Sequence, residues 1–282
     1  MIDIVTVVFR EELSVLRLQA ESISLYCDRM GLHNIYVVIN DDTMTSDDID
    51  VEWWGRYSDR VKIIHRNQWK ISYVENGWLT QQLLKLLAAE QSKSTWSMVL
   101  DSKTVIVQSV ELDRLFDDDG RVTWGYNTIF PVFDFTRKKV SELFEIDQQY
   151  VLGPAGIPFF FNNQTVRDMI NEVKKRTNKN FAEWFQDTGM ITEFMLYSGY
   201  VQYRDGTLEK SHTNNFPNSY GLCNICHSEV DKVDSKFLQM LNNKNLTVSI
   251  HRNAWSKLTP AQRKTYQDFL LSKGITQAQN LL

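Results

Sequence analysis

The string Trp96-Ser97-Met98-Val99-Leu100-Asp101-Ser102-Lys103 carries an apolar run into a carboxylate, a hydroxyl and an ammonium. A carboxylate placed directly behind a buried strand can hold a divalent cation or accept hydrogen bonds, and a nearby ammonium can neutralise a phosphate as a point charge. Aspartate is also a common turn former and lysines are mostly solvated, so a plainer structural reading stands beside the chemical one. Glu193 lies in Met190-Ile191-Thr192-Glu193-Phe194-Met195-Leu196-Tyr197, where apolar neighbours on both sides predict a partly buried helix face and a raised pKa. Such a carboxylate suits a general base, with Asp187 as the substitute candidate; a helix glutamate facing water is the alternative.

Asn40, Asp41 and Asp42 follow a second apolar run, where they could accept hydrogen bonds from a ribose or a base edge, or simply form a solvated loop. At the end of the first run, Thr6, Val8 and Arg10 are candidates to line a nucleotide pocket, Arg10 through its guanidinium and the other two as backbone or as ordinary strand residues. Gln81 and Lys85 are four apart, on one helical face, within reach of a diphosphate or donor sugar, or are an exposed pair. Trp53, Trp54, Trp78, Trp184 and Trp255 are stacking platforms or core residues. Cys223-Asn224-Ile225-Cys226-His227 has the spacing of covalent haem attachment, but the amino terminus lacks the charge order and length of a signal peptide, which argues against an exported haem protein.

These groups need elements to hold them. Density of β-branched and apolar residues predicts strands over 2–9, 35–39, 61–64, 96–100, 105–107, 122–126, 157–161 and 200–203. Helical spacing predicts helices over 11–29, 77–90, 165–176, 188–197 and 259–272, the last with Thr259 as N-cap and Pro260 in its first turn. Gly31 is read as a left-handed cap, and the Gly153-Pro154-Ala155-Gly156 segment as a turn. In the helix over 77–90, Leu79, Leu83, Leu86 and Leu87 mark a dry face, and Gln81 and Lys85 an open one. Alternation of strand and helix implies an α/β chain with a mostly parallel sheet, whose ligands gather at the carboxyl ends of the strands.

The 282 residues, 43% of them hydrophobic, can bury a full core without disulfides or a structural metal. A net charge of -4 disfavours nucleic acid as a partner. No stretch has the length of a transmembrane helix, and with only three cysteines the expected location is cytoplasmic.

The Asp101 segment, the helix GWLTQQLLKLLAA before it, the later ITEFMLYSGY at 191–200 and Val248-Ser249-Ile250-His251-Arg252 together resemble GT-A-type glycosyltransferases. The resemblance extends to a little-characterised bacterial and phage group and covers residues 1 to about 255. It implies a GT-A-like (Rossmann-like) single domain over 1–282: a mixed, mostly parallel central sheet flanked by helices. Residues 1–110 would be the nucleotide-sugar-binding half, 111–255 the acceptor-side half and 256–282 a C-terminal helix. The implied activity moves a sugar from a nucleotide-sugar donor to a carbohydrate or other hydroxyl acceptor, with the acceptor over Glu193 and the loops near His212. One position departs from the pattern: the second acid of Asp-x-Asp falls on Lys103, and an ammonium cannot ligate a hard cation. Three outcomes follow. Asp101 holds manganese or magnesium with His251; Lys103 neutralises the diphosphate and transfer is metal-independent; or catalysis is lost and the chain is a nucleotide- or carbohydrate-binding protein.

Overall fold

In the computed structural model, which describes residues 1–71, 76–123, 126–128, 131–154, 157–213, 221–241 and 244–281, the amino-terminal run forms β1 (Ile2–Val8), every residue of it buried. The chain continues through α1 (Leu13–Tyr26), β2 (Leu32–Ile39), β3 (Val61–His65), α2 (Gly77–Gln91), β4 (Trp96–Asp101) and β5 (Thr104–Ile106). Short pieces follow: α3 (Leu112–Leu115), β6 (Val122–Thr123) and β7 (Tyr126–Thr128). Next come α4 (Asp134–Phe144), β8 (Gly153–Pro154), β9 (Phe159–Asn162), α5 (Asn163–Thr177), α6 (Phe181–Thr188) and α7 (Glu193–Asp205). The order ends with β10 (His212–Thr213), β11 (Gly221–Ile225), α8 (Val233–Met240), β12 (Asn245–Ile250), α9 (Arg252–Trp255) and α10 (Pro260–Ser272).

The main sheet has five strands in the order β3-β2-β1-β4-β9; the first four are parallel and β9 runs against β4. The mostly parallel arrangement is the one the strand-helix alternation predicts, and with the antiparallel β9 it is the mixed sheet the resemblance implies. Val8 pairs with Ile39 and Val7 with Asp101, so the ends of β1, β2 and β4 meet along one edge. A second, three-stranded sheet, β11-β12-β5, starts just beyond Asp101. Its antiparallel register, Thr104 opposite Ser249 and Val105 opposite Val248, brings the residues after β12 back to the edge where Asp101 ends β4.

Helix α1 serves both sheets: Leu16, Ala20 and Ile23 join the main core, while Leu18 joins a second cluster with Val105, Phe237, Phe269 and Leu270. At the opposite edge, the Asp3 carboxylate is fully buried and accepts from Ser92 Oγ at 2.5 Å, Ser94 Oγ at 2.8 Å and the Asn34 amide at 2.9 Å. Asn163 donates to Ser92 Oγ at 2.7 Å, which adds the start of α5 to this tie. A buried carboxylate is tolerated because these donors replace its water.

Two expectations are corrected. The helix expected over 188–197 is two helices: α6 stops at Gly189 (φ 85°), and Thr192 caps α7 by accepting from the Met195 amide. The strand expected over 200–203 is the second half of α7, because burial of Tyr200 and Val201 against neighbouring helices overrides their β propensity. Gly199 lets that helix approach α4: a Cβ there would lie 2.2 Å from Val140 Cγ1. The α10 start is as predicted, with Thr259 and Gln262 in a capping box and Pro260 in the first turn. Residues 124 and 125 of the strand expected over 122–126, and 155 and 156 of the expected turn, lie outside the described residues. Among the described residues no helix is long and apolar enough to cross a membrane.

Candidate functional site

At the carboxyl edge of the main sheet lies a cavity of about 620 Å³. Phe9 follows β1 into its wall, Asn40 follows β2, Asp101 and Lys103 flank the β4–β5 turn, and His251 and Arg252 follow β12. Two helices close the sides, α2 through Trp78, Gln81 and Lys85 and α7 through Glu193 and Phe194.

Four charged side chains form one line of contacts. Lys103 Nζ donates to Asp101 Oδ2 at 2.9 Å, Lys85 Nζ to Asp101 Oδ1 at 2.8 Å, and Lys85 Nζ to Glu193 Oε1 at 3.0 Å. The Lys103 and Asp101 side chains are 18% and 20% exposed and those of Lys85 and Glu193 3% and 0%, so the line runs from cavity to core. Lys85 occupies an unexpected place. Helix α2 is buried on nearly all sides, because it lies between β1 and helices α5, α6 and α7. The open face expected at Gln81 and Lys85 is therefore a cavity wall at Gln81 and a buried ion pair at Lys85.

Burial alone would raise the Asp101 pKa, but the Lys103 and Lys85 ammoniums hold its carboxyl well below the usual range. Burial would likewise lower Lys85, and the Asp101 and Glu193 carboxylates reverse this, keeping it protonated. For Glu193 burial prevails over the attraction of Lys85 and the pKa is raised, as the sequence predicts. Its Oε2 is buried and makes no hydrogen bond with the described residues.

Asn40, Gln81, Lys85, Asp101, Lys103, Glu193 and His251 all line the cavity. Trp78, one of the candidate stacking platforms, lines it too, and the remaining polar candidates do not. Thr6 and Val8 lie inside the sheet, where neighbouring strands enclose them. Arg10 turns away and spends its guanidinium on Thr43 Oγ1 at 2.9 Å and on Asp48 at 3.2 and 3.3 Å. Asp41 is drawn into the same loop: its carboxylate accepts from the Arg10 amide at 3.0 Å and from the Thr43 amide and hydroxyl at 2.7 Å. Burial pushes its pKa up, and these hydrogen bonds bring it below the usual value. Asp42 pairs with the guanidinium of Arg66. Ser102 is buried and donates to Glu12. Asp187 is exposed on α6, paired with Lys179 at 2.6 Å. His212, expected beside the acceptor, is buried, with Nε2 facing the Phe160 carbonyl at 3.3 Å. Cys223 and Cys226 are free thiols, and the His227 side chain lies outside the described residues.

Sequence reasoning misses Glu12, a buried carboxylate in the wall, because nothing local distinguishes it from the exposed Glu11 beside it. It also misses Phe133, whose ring lies 6.4 Å from that of Trp78 at an interplanar angle of 9°. Arg252 reaches Glu11 at 2.9 Å and lies over the Phe9 ring. Asn40 links β2 to α2, donating to the Gly77 carbonyl at 3.1 Å and accepting from Arg66 at 3.1 Å.

Asp101 and His251 are the residues that would hold a divalent cation. Both Asp101 oxygens carry an ammonium, so a cation there would face two fixed positive charges at close range. His251 Nδ1 accepts from the Asn253 amide at 3.2 Å and caps α9. Among the described residues no three His, Cys, Asp or Glu side chains converge to hold a metal ion. The donor set around Asp101 does not fit a hard divalent cation.

Over residues 7–235 the chain matches a family described as of unknown function (DUF6492). No curated protein matches it. Among solved structures it is similar to an active-site mutant of LgtC, at TM-score 0.51 and 12% identity over 96% of this chain and 95% of that one. It is also similar to the galactosyltransferase LgtC in complex with donor and acceptor sugar analogs (TM-score 0.49, 12% identity, 96% and 95% covered). The apo structure of the bifunctional glycosyltransferase WbbM gives 0.49 and 14% identity, covering 94% of this chain and 51% of that one. At such identities the likeness is one of fold, that of the GT-A glycosyltransferases.

Proposed function

We propose that this chain, which belongs to the DUF6492 family of unknown function, is a glycosyltransferase that moves a sugar from a nucleotide-sugar donor to a hydroxyl of a glycan-type acceptor. The observation that carries this reading is the line of Lys103, Asp101, Lys85 and Glu193, which opens into a cavity at the carboxyl edge of a GT-A sheet. In this reading the diphosphate lies toward the β4–β5 turn, and Trp78 and Phe133 offer a flat apolar wall to a sugar or base ring. Gln81 supplies an amide to the donor sugar.

Glu193 is the base of the proposed step. Lys85 anchors Oε1, Oε2 has no hydrogen-bond partner among the described residues, and burial raises the pKa toward the range a base needs. In an inverting transfer the acceptor oxygen bonds to the anomeric carbon and its proton passes to Glu193 Oε2. The bond from that carbon to the diphosphate oxygen breaks, and the electron pair leaves with the diphosphate. The complete enclosure of the Glu193 side chain favours a second reading, a nucleotide-sugar-binding protein without transfer. Incubation with UDP-, GDP-, ADP- and CMP-sugars and an acceptor panel, with released nucleotide measured by chromatography, separates the two. Glu193→Gln should lose at least about 100-fold in release while still binding donor. Donor binding without release by the wild type supports the second reading, and no binding of any donor sinks both.

A further inference from the structure

We infer that Lys103, held in place by Asp101, does the work of a divalent cation in this cavity, so that the diphosphate of a nucleotide ligand binds without metal. The inference rests on the nucleotide-sugar reading of the site. Its basis is the order of the four charges. Glu193 and Asp101 grip Lys85 from two sides, at 3.0 and 2.8 Å, and Lys85 in turn fixes Asp101 through Oδ1. The other oxygen, Oδ2, is left pointing at Lys103 at 2.9 Å. A flexible surface lysine loses side-chain entropy when it is immobilised on a ligand; Lys103 is immobilised before the ligand arrives.

Glu11 and Glu12 also line the cavity, Glu11 paired with Arg252 and Glu12 accepting from Ser102, so the charges that decide what binds at the β4–β5 turn are those in contact with Asp101. With both carboxylates ionised, the two lysines and two acids sum to zero. A divalent cation at Asp101 would add two positive charges beside two ammoniums, whereas an anion placed on Lys103 meets a positive charge whose partner, Asp101, is also held by Lys85. Lys103 keeps donor hydrogens for that anion, since an ammonium has three and the Asp101 contact uses one. Arg252, on the same wall, adds a second cation near the mouth, and Glu11 orients it at 2.9 Å.

The test is calorimetric titration of the full chain with UDP, GDP, ADP and inorganic pyrophosphate, in EDTA and again in manganese. At least one nucleotide should bind with the same affinity in both, within about a factor of two, and more tightly than pyrophosphate. Lys103→Ala should weaken it at least about tenfold in EDTA, the loss of one charge-assisted contact, and Lys103→Arg should retain most of the affinity. Lys103→Asp, which places a second acid beside Asp101, should bind no nucleotide in EDTA and recover binding in manganese. Thermal unfolding of each variant reports whether the fold is intact. Binding by the wild type that requires manganese overturns the inference and leaves the glycosyltransferase reading standing. Nucleotides that bind no better than pyrophosphate overturn it too, and no nucleotide binding in either condition removes both.

Discussion

Lys85 is an ammonium that this fold cannot easily lose, because the buried Glu193 and the partly buried Asp101 both accept its hydrogens. Lys85→Met should cost about 3–5 kcal/mol in urea unfolding, the usual penalty for stranding a buried charge. Adding Glu193→Gln should return part of that loss, since one of the stranded carboxylates disappears; strict additivity of the two changes would contradict the contact. His212 makes a pH prediction. Burial holds its folded-state pKa down at about 4, against an ordinary 6.5, because the imidazolium would be desolvated. The carbonyl of Phe160 can only accept, so Nε2 carries the proton and Nδ1 faces the Ser211 hydroxyl at 2.8 Å. As pH falls from about 6.5 toward 4, the unfolded chain binds a proton at His212 that the folded chain does not. Acidification over that window should therefore remove up to about 3 kcal/mol, and His212→Asn should flatten that part of the stability profile.

Helices α4 and α7 meet where Gly199 has no side chain, and α7 carries Glu193 at its first turn. Gly199→Ala should destabilise by about 1–3 kcal/mol, since the Val140 methyl it meets belongs to a stiff β-branched residue. A helix gain from alanine opposes this by about 1 kcal/mol, so the net effect tests whether crowding wins. An unchanged melting temperature would show that α7 can shift away from α4. At the other end of the chain, Thr259→Ala removes the capping box of α10 and should lower stability by about 1 kcal/mol.

On the scale of the whole molecule, α1 decides whether the two sheets behave as one. Leu16 is buried in the main core and Leu18 in the second cluster, both on a single helix. Leu16→Ala and Leu18→Ala should each cost about 2–5 kcal/mol and shift one common unfolding transition. A separate early transition in Leu18→Ala alone would mean that the small sheet and α10 unfold independently.

What the sequence by itself determined is local. Runs of β-branched residues mark β1 and β2 and an apolar run marks β4, and the strand-end rule points to Asn40, Asp101 and Lys103, because a parallel sheet leaves its carboxyl edge open to ligands. Thr259 and Pro260 announce α10, since a cap acts on amides within one turn of itself. Tertiary structure decided which polar groups remain for a ligand. Arg10 and Asp41 sit at strand ends too, but the loop after β2 folds back and Thr43 and Asp48 consume their hydrogen bonds. Lys85 joins Asp101 and Glu193 only because α2 and α7 converge on β4, and Arg252 reaches the cavity through the β5–β12 register. Those contacts join residues far apart in the chain, and their formation depends on how helices and strands pack, a property that no local spacing carries.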